Sequence, residues 1–329
     1  AGKVSSFQAL MVSTASRVGT GNIIGVSTAI CLGGPGAVFW MWLLAIIGGA
    51  TAFIESTLAQ IYKRRNPLGH SYGGPAYYIE TAMHKRWLGV LFAFSLILTY
   101  AGGFNLLCSF NMQSTFLVYS FYDPTTTPWI IGAVFAALVA YCLVGGGQRI
   151  IKVTCILVPV MGGIYILAAL IVIVFHITSL PQVFAMIFAD AFDFQSILGG
   201  VSGSCMIYGI KRGLYSNEAG IGSAPNAAAV ADVSHPVKQG LVQMLSVFID
   251  TLLVCSATAF MGLFSGVPIT KEVAGAAYVQ NAATAVFGGF GPLLITVCML
   301  LFGFSTLIGN LFYVDNCIRF IHKGAPSHG

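Results

Sequence analysis

Stretches of this sequence such as 87–122, 124–148, 153–189, 251–270 and 273–314 carry no Asp, Glu, Lys or Arg over at least the width of a bilayer. A helix crosses the hydrocarbon layer with about 20 mostly apolar residues, so each run holds a span and several hold a span plus a loop. Backbone polar groups in lipid find partners only within a helix or a closed barrel. The runs are continuously apolar and lack the alternation of barrel strands. The fold class is therefore an all-α polytopic membrane protein. Composition agrees: 57% of the 329 residues are hydrophobic and 8% are charged, more apolar surface than a soluble domain of this length has a use for.

The runs divide into about eight spans, near 6–30, 37–62, 88–119, 128–145, 153–176, a broken one at 182–212, 237–265 and 291–318. With the N-terminus placed in the cytoplasm, the inner segments carry Lys3, Lys63, Arg64, Arg65, Lys85, Arg86, Arg149, Lys152, Lys211, Arg212, Lys238, Arg319 and Lys323. The outer segments then carry only Lys271. That asymmetry sets the expected orientation by the positive-inside rule: a multi-pass protein of the plasma (inner) membrane with both ends of this chain cytoplasmic. Between the second and third spans, Gly73-Gly74-Pro75 followed by Tyr77 and Tyr78 outlines a short interfacial helix. The chain begins at Ala1 rather than Met and stops soon after a span, which reads as a fragment or a trimmed chain.

Within the first span, Ser16-Arg17-Val18-Gly19-Thr20-Gly21-Asn22-Ile23-Ile24-Gly25 places glycines and polar groups in the middle of the membrane. Each glycine costs a helix about 1 kcal/mol relative to alanine, and bare backbone at that depth is tolerated only where protein buries it or a cavity adjoins it. The same glycines also suit close packing of the small-xxx-small kind. Leu198-Gly199-Gly200-Val201-Ser202-Gly203-Ser204 has a similar make-up in the sixth span. Breaks in spans one and six are where an inverted-repeat transporter carries its binding site. In the eighth span, Ser305 and Thr306 either return hydrogen bonds to their own helix or offer oxygens to a hard cation. Asp250 lies near mid-membrane, fourteen residues after Pro236, where an acid is paired or functional. Glu55 and Asp315 lie nearer the interface, and Glu218 reads as a solvated or gate-side acid.

The eight cysteines are scattered without paired spacing and read as small buried hydrophobes. The six histidines form no metal-binding cluster, so no cofactor is expected. The net charge of +5 is accounted for by the basic loops and does not imply a nucleic-acid partner. Neither a nucleophile and base pair nor the ligand ring of a channel filter is legible, which sets enzymes and channels aside.

The stretch Gly33-Gly34-Pro35-Gly36-Ala37-Val38-Phe39-Trp40-Met41-Trp42 resembles the alanine or glycine:cation symporter family. Further matches are Gly19-Thr20-Gly21-Asn22-Ile23, Gly73-Gly74-Pro75, Ser216-Asn217-Glu218-Ala219-Gly220-Ile221-Gly222-Ser223-Ala224-Pro225, His235-Pro236-Val237 and Phe248-Ile249-Asp250-Thr251. The resemblance implies a LeuT-type inverted-repeat core, the first repeat at 1–180 and a truncated second at 181–329, and sodium-driven uptake of alanine or glycine. It also implies site residues. The backbone of Thr20 and Gly21, with Asn22 beside it, would take the substrate carboxylate. Gln113 would line the pocket, and Gly199, Gly200, Ser202 and Gly203 would close it opposite. The Ala15 and Val18 carbonyls with the Ser305 and Thr306 hydroxyls would hold sodium. The alternatives are a proton-coupled or exchange carrier of the same fold, titrating at Asp250 or Glu55, and a non-transporting fragment.

Overall fold

The computed structural model describes residues 3–200 and 204–322. Apart from a two-stranded ribbon pairing 64–65 with 71–72, the described chain is helical. Helix α1 (Ser6–Arg17) starts on a capping box: Ser5 Oγ accepts from Gln8 N–H while Gln8 Oε1 accepts from Ser5 N–H. It stops at Val18, which is extended, and the chain resumes as α2 (Gly21–Gly33), whose first turn is a wide π turn. The weak point falls where Gly19 and Gly21 lie in the sequence. Gly34, at φ 104°, ends α2 in a conformation that side chains other than glycine rarely adopt.

Among the described residues six helices are long and apolar enough to cross a membrane: α3 (Ala37–Ile61), α5 (Arg86–Val118), α6 (Thr127–Val144), α7 (Gly146–Phe175), α12 (Pro236–Ser265) and α14 (Phe290–Ile321). Shorter helices fill the rest, namely α4 (Pro75–Met83), α8 (Ile177–Ala191), α9 (Phe194–Gly199), α10 (Cys205–Asn217), α11 (Pro225–Ala228) and α13 (Ala276–Phe287). Helix α3 packs along α12 and α10, α1 is gripped by α7, α12 and α14, and α2 lies against α10. The most apolar window of α12 is 72% buried and that of α6 only 6%, so α12 runs through the centre while α6 faces outward along most of its surface. A peripheral helix this apolar is stable only with lipid around it.

The interfacial segment forms α4 as expected. Its Glu80 is bridged by Arg64 at 2.9 Å and Arg86 at 3.0 Å. Partial burial alone would raise the Glu80 carboxyl, but the hydrogen bonds from the two guanidiniums outweigh it and hold it below the usual range. At the same end, Asp232 N–H donates to the Val4 carbonyl and the Asp232 carboxylate pairs with Lys3 and Arg65. This stitches the start of the chain to the segment that follows α11.

The sixth segment departs from expectation. Residues 182–212 are not one broken span. Asp193 caps α9 and Ser204 caps α10, so these caps divide the stretch into three helices. The Gly36 N–H donates to Asp190 Oδ2 and the Cys205 thiol lies on the Asp190 carbonyl, so α8 ends and α10 begins beside the start of α3. From there α10 runs inward, and α11 lies at the opposite end, where Gln60 and Lys63 donate to the Ala231 carbonyl. Of the break expected at 198–204, Leu198, Gly199 and Gly200 are exposed and residues 201–203 lie outside the described residues. The described chain has an interior break at 218–224. As a result Lys211 and Arg212 fall in the half of the molecule away from Lys63, and do not add to the basic cluster there.

Where α10 crosses α3, a methyl group built on Gly209 would lie 2.5 Å from the Ala37 carbonyl oxygen and 2.7 Å from Trp40 Cβ. Both are backbone-anchored atoms that cannot swing aside. Gly209→Ala is therefore expected to destabilise the protein by about 1–3 kcal/mol, read as a lower melting temperature in detergent; an unchanged melting temperature would refute this close approach.

Candidate functional site

The two interior breaks, at Val18–Thr20 and at Glu218–Ala224, lie against each other. At the second, Glu218 is left-handed (φ 50°), an uncommon conformation for a residue with a Cβ, and Gly220 and Gly222 follow at φ 81° and 83°. Such backbone persists only where its surroundings hold it, and here three buried carboxylates do. Glu55 on α3 accepts from the N–H groups of Gly220 (3.2 Å) and Gly222 (3.0 Å). Glu218 Oε2 accepts from Tyr100 on α5 (3.0 Å), Ser223 (3.0 Å) and Ser16 at the end of α1 (3.3 Å). Asp250 on α12 accepts from Asn22 (2.8 Å), Ser216 (3.0 Å) and Thr251 (3.0 Å).

Arg17 supplies the positive charge among them. Its Nε donates to the Asn217 carbonyl at 2.8 Å and its Nη1 to Gln243 Oε1 at 3.2 Å. It therefore caps the C-terminal end of α10, where a cation is favoured, and its charge is felt by Glu55, Glu218 and Asp250 without a direct ion pair. Glu218, read from sequence as solvated, is 5% exposed and sits inside this network.

The first break carries an oxygen cluster. Thr306 Oγ1 lies 3.2 Å from the Ala15 carbonyl and 3.4 Å from those of Ser16 and Val18. Ser305 Oγ lies 3.3 Å from the Ala15 carbonyl and 3.4 Å from that of Val18, and its shortest contact, 2.9 Å, is to its own helix at Phe302. Two hydroxyls bring two protons, fewer than the carbonyls that face them. The cluster is thus rich in lone pairs and short of donors, which suits a hard cation bound by oxygen. Among the described residues no group of three His, Cys, Asp or Glu side chains is placed to hold a metal ion.

Beside it is a narrow cavity of about 20 Å³ lined by Gly19, Thr20, Gly21, Phe104, Tyr215 and Thr306, among others. A Cβ on Gly21 would lie 2.9 Å from Tyr215 Cε1, and one on Gly19 would collide with the Thr306 hydroxyl. The Phe104 and Tyr215 rings meet edge to face at 5.3 Å across the cavity. Asn111 Nδ2 donates to Thr20 Oγ1 at 3.1 Å.

The structure thus brings Ala15, Val18, Ser305 and Thr306 together, and Thr20 and Gly21 face the cavity. Asn22 is fully buried and engaged elsewhere: its Oδ1 accepts from Gly19 N–H and its Nδ2 donates to Asp250, so it splints the break. Gln113 is turned away and accepts from Tyr122. Gly199 and Gly200 are exposed and line no part of the cavity. Ser202 and Gly203 lie outside the described residues. Asn111, Phe104 and Tyr215 escaped sequence reasoning. The second break did carry a signal, because Glu218-Ala219-Gly220-Ile221-Gly222 repeats the polar-and-glycine make-up of the first.

The family model described as the sodium:alanine symporter family matches residues 1–328. The chain belongs to the sodium:alanine symporter family. It is 46% identical to the amino-acid carrier protein AlsT of Bacillus subtilis (strain 168), over 97% of this chain and 67% of that protein. It is 45% identical to the probable sodium/glutamine symporter GlnT of the same organism, over 97% of this chain and 66% of that protein. It is 37% identical to the sodium/alanine symporter AgcS of Methanococcus maripaludis, over 97% of this chain and 71% of that protein. The chain therefore spans about two thirds of the length of these relatives, and the family is one of carriers rather than enzymes.

Removing the central cation takes away the positive charge felt by three buried carboxylates and leaves them to their hydrogen bonds. Arg17→Met is expected to destabilise the protein by about 3–5 kcal/mol, measured by thermal unfolding in detergent. Melting as in the unaltered protein would show that the carboxylates do not depend on Arg17.

Proposed function

We propose that this chain is the core of a sodium-coupled symporter of small neutral amino acids, chiefly alanine or glycine, working by alternating access in the plasma membrane. The observation that carries this reading is the donor-poor oxygen cluster at Ala15, Val18, Ser305 and Thr306, one turn from a glycine-walled cavity. Sodium would bind the carbonyls left by the end of α1 and the two hydroxyls of α14. The substrate carboxylate would lie at Thr20 and Gly21, where α2 begins and its first N–H groups and dipole favour negative charge. Gly19 and Gly21 give the backbone a close approach, Phe104 and Tyr215 wall the side-chain space, and Asn111 holds the Thr20 hydroxyl.

At about 20 Å³ the cavity has little more room than one water needs. Alanine therefore enters only as Tyr215 and Phe104 part. Because α10 carries Tyr215 and α5 carries Phe104, that parting is a relative movement of two helix groups, as alternating access requires. The two groups would correspond to a LeuT-type arrangement with inverted repeats at 1–180 and 181–329. Ion and substrate share the first break, one on each side of Gly19. Each therefore favours the backbone arrangement the other needs, and such coupling is reciprocal.

Sodium is expected to raise alanine affinity, and Thr306→Ala to raise the sodium concentration needed by about tenfold or more, the loss of a hard-cation ligand being worth roughly one charge-assisted contact. Radiolabelled alanine binding at graded sodium measures both; equal binding with and without sodium overturns the coupling. In the same assay Asn111→Ala is expected to lower alanine affinity by about fivefold, the worth of one hydrogen bond, and Gln113→Ala to leave it unchanged. The reverse ranking would move the pocket away from Thr20.

A further inference from the structure

Helix α10 lies on α2 through a ladder of glycines. Atoms of Tyr208 are 2.9 Å from a Cβ built on Gly33, Arg212 Cδ is 3.4 Å from one on Gly25, and Tyr215 Cε1 is 2.9 Å from one on Gly21. Arg212 is thus the charged rung, one helical turn or about 5 Å beyond the cavity wall, on the side of Tyr215 away from Glu218. It is half-buried, and among the described residues no carboxylate, carbonyl or other acceptor pairs with it. Its neighbour Lys211 is exposed and on a different face of the helix. Arg17, which lines the cavity itself, is held by Asn217 and Gln243, which makes the contrast informative. An unpaired guanidinium between transmembrane helices is costly and marks a functional site. Its planar fork matches a carboxylate.

We propose that Arg212 forms an outer subsite for the carboxylate of the amino-acid substrate, occupied on the way to and from the inner site at Thr20 and Gly21. This deepens the reading above and rests on it. The zwitterion arrives with its carboxylate on the Arg212 fork, which lies over Gly25. It then moves one turn along α2 as Tyr215 withdraws, exchanging the guanidinium for the N–H groups at the start of α2. A group that stabilises a waypoint lowers the barrier in both directions and leaves the end states unchanged. Association and dissociation therefore change together, while the equilibrium constant of the inner site does not.

The test is stopped-flow alanine binding to the purified chain at fixed saturating sodium, following intrinsic aromatic fluorescence. Arg212→Gln is expected to slow association and dissociation together, each by about tenfold, with Kd within about twofold of the unaltered protein. Arg212→Lys should fall between the two, keeping the charge without the fork. Lys211→Gln, which removes the same charge from the exposed face, should change neither rate. Raising ionic strength with choline chloride should slow the unaltered protein and leave Arg212→Gln unaffected. Wild-type association by Arg212→Gln, an equal loss in Lys211→Gln, or a raised Kd with unchanged dissociation would each overturn the outer subsite while leaving the inner site intact. Failure of the unaltered chain to bind alanine with sodium present would instead overturn the inner site, and the outer subsite with it.

Discussion

Interrupting a helix inside a membrane strands N–H and C=O groups where no water reaches them, and the rest of this structure is arranged around that constraint. Two interruptions face each other, and each is held by side chains standing in for the missing helical bonds. Asn22 takes the Gly19 N–H, and Glu55 takes those of Gly220 and Gly222. Arg17 takes the last carbonyl of α10, and Ser305 and Thr306 lie on the carbonyls at the end of α1. Unpaired amides or carbonyls at this depth would each cost several kcal/mol, so the acids and the arginine belong to the architecture as much as to any chemistry. Their burial is tolerable because each carboxylate accepts two or three hydrogen bonds.

The network also distributes work between helices. Asp250 and Glu55 bind the interruptions to α12 and α3, which pack closely on each other, α3 packing also on α10. The Tyr100 hydroxyl on Glu218, the Ser16 hydroxyl on Asn310 and the oxygen cluster at Ser305 and Thr306 instead reach across to α5 and α14. The first set is internal to one group of helices, and the second joins that group to another. A cation in the oxygen cluster would strengthen the joint without touching the internal ties, a direct route from ion binding to helix-group movement.

Much of this was legible in the sequence. Uncharged runs gave the membrane helices, and glycines 19 and 21 beside Thr20 and Asn22 gave the first interruption. The interruption at 218–224 went unread because Leu198 to Ser204 is richer in glycine, and composition alone weighs glycine count over surroundings. Asp193 and Ser204 cap the helices α9 and α10 on either side of the glycine-rich stretch, whereas Glu218 to Gly222 is pinned from outside by Glu55, 163 or more residues earlier in the chain. Such a partnership has no local signature. The preference for Asn111 over Gln113 was equally hidden, since two positions on one helix differ by about 200° in direction, and only packing shows which faces Thr20. The placement of Lys211 and Arg212 followed the misplaced span and was corrected with it.

The glycine ladder between α2 and α10 divides the cavity unequally. One wall is bare main chain, fixed by the interruption itself, and the other is the Tyr215 ring. Substitution on the glycine side has nowhere to go, whereas a change at the ring alters the available width and leaves every backbone bond in place. Under the proposed function, the dimension that decides which amino acids fit would be carried by this one side chain. Such a scaffold could then change its cargo through one codon without renegotiating its folding.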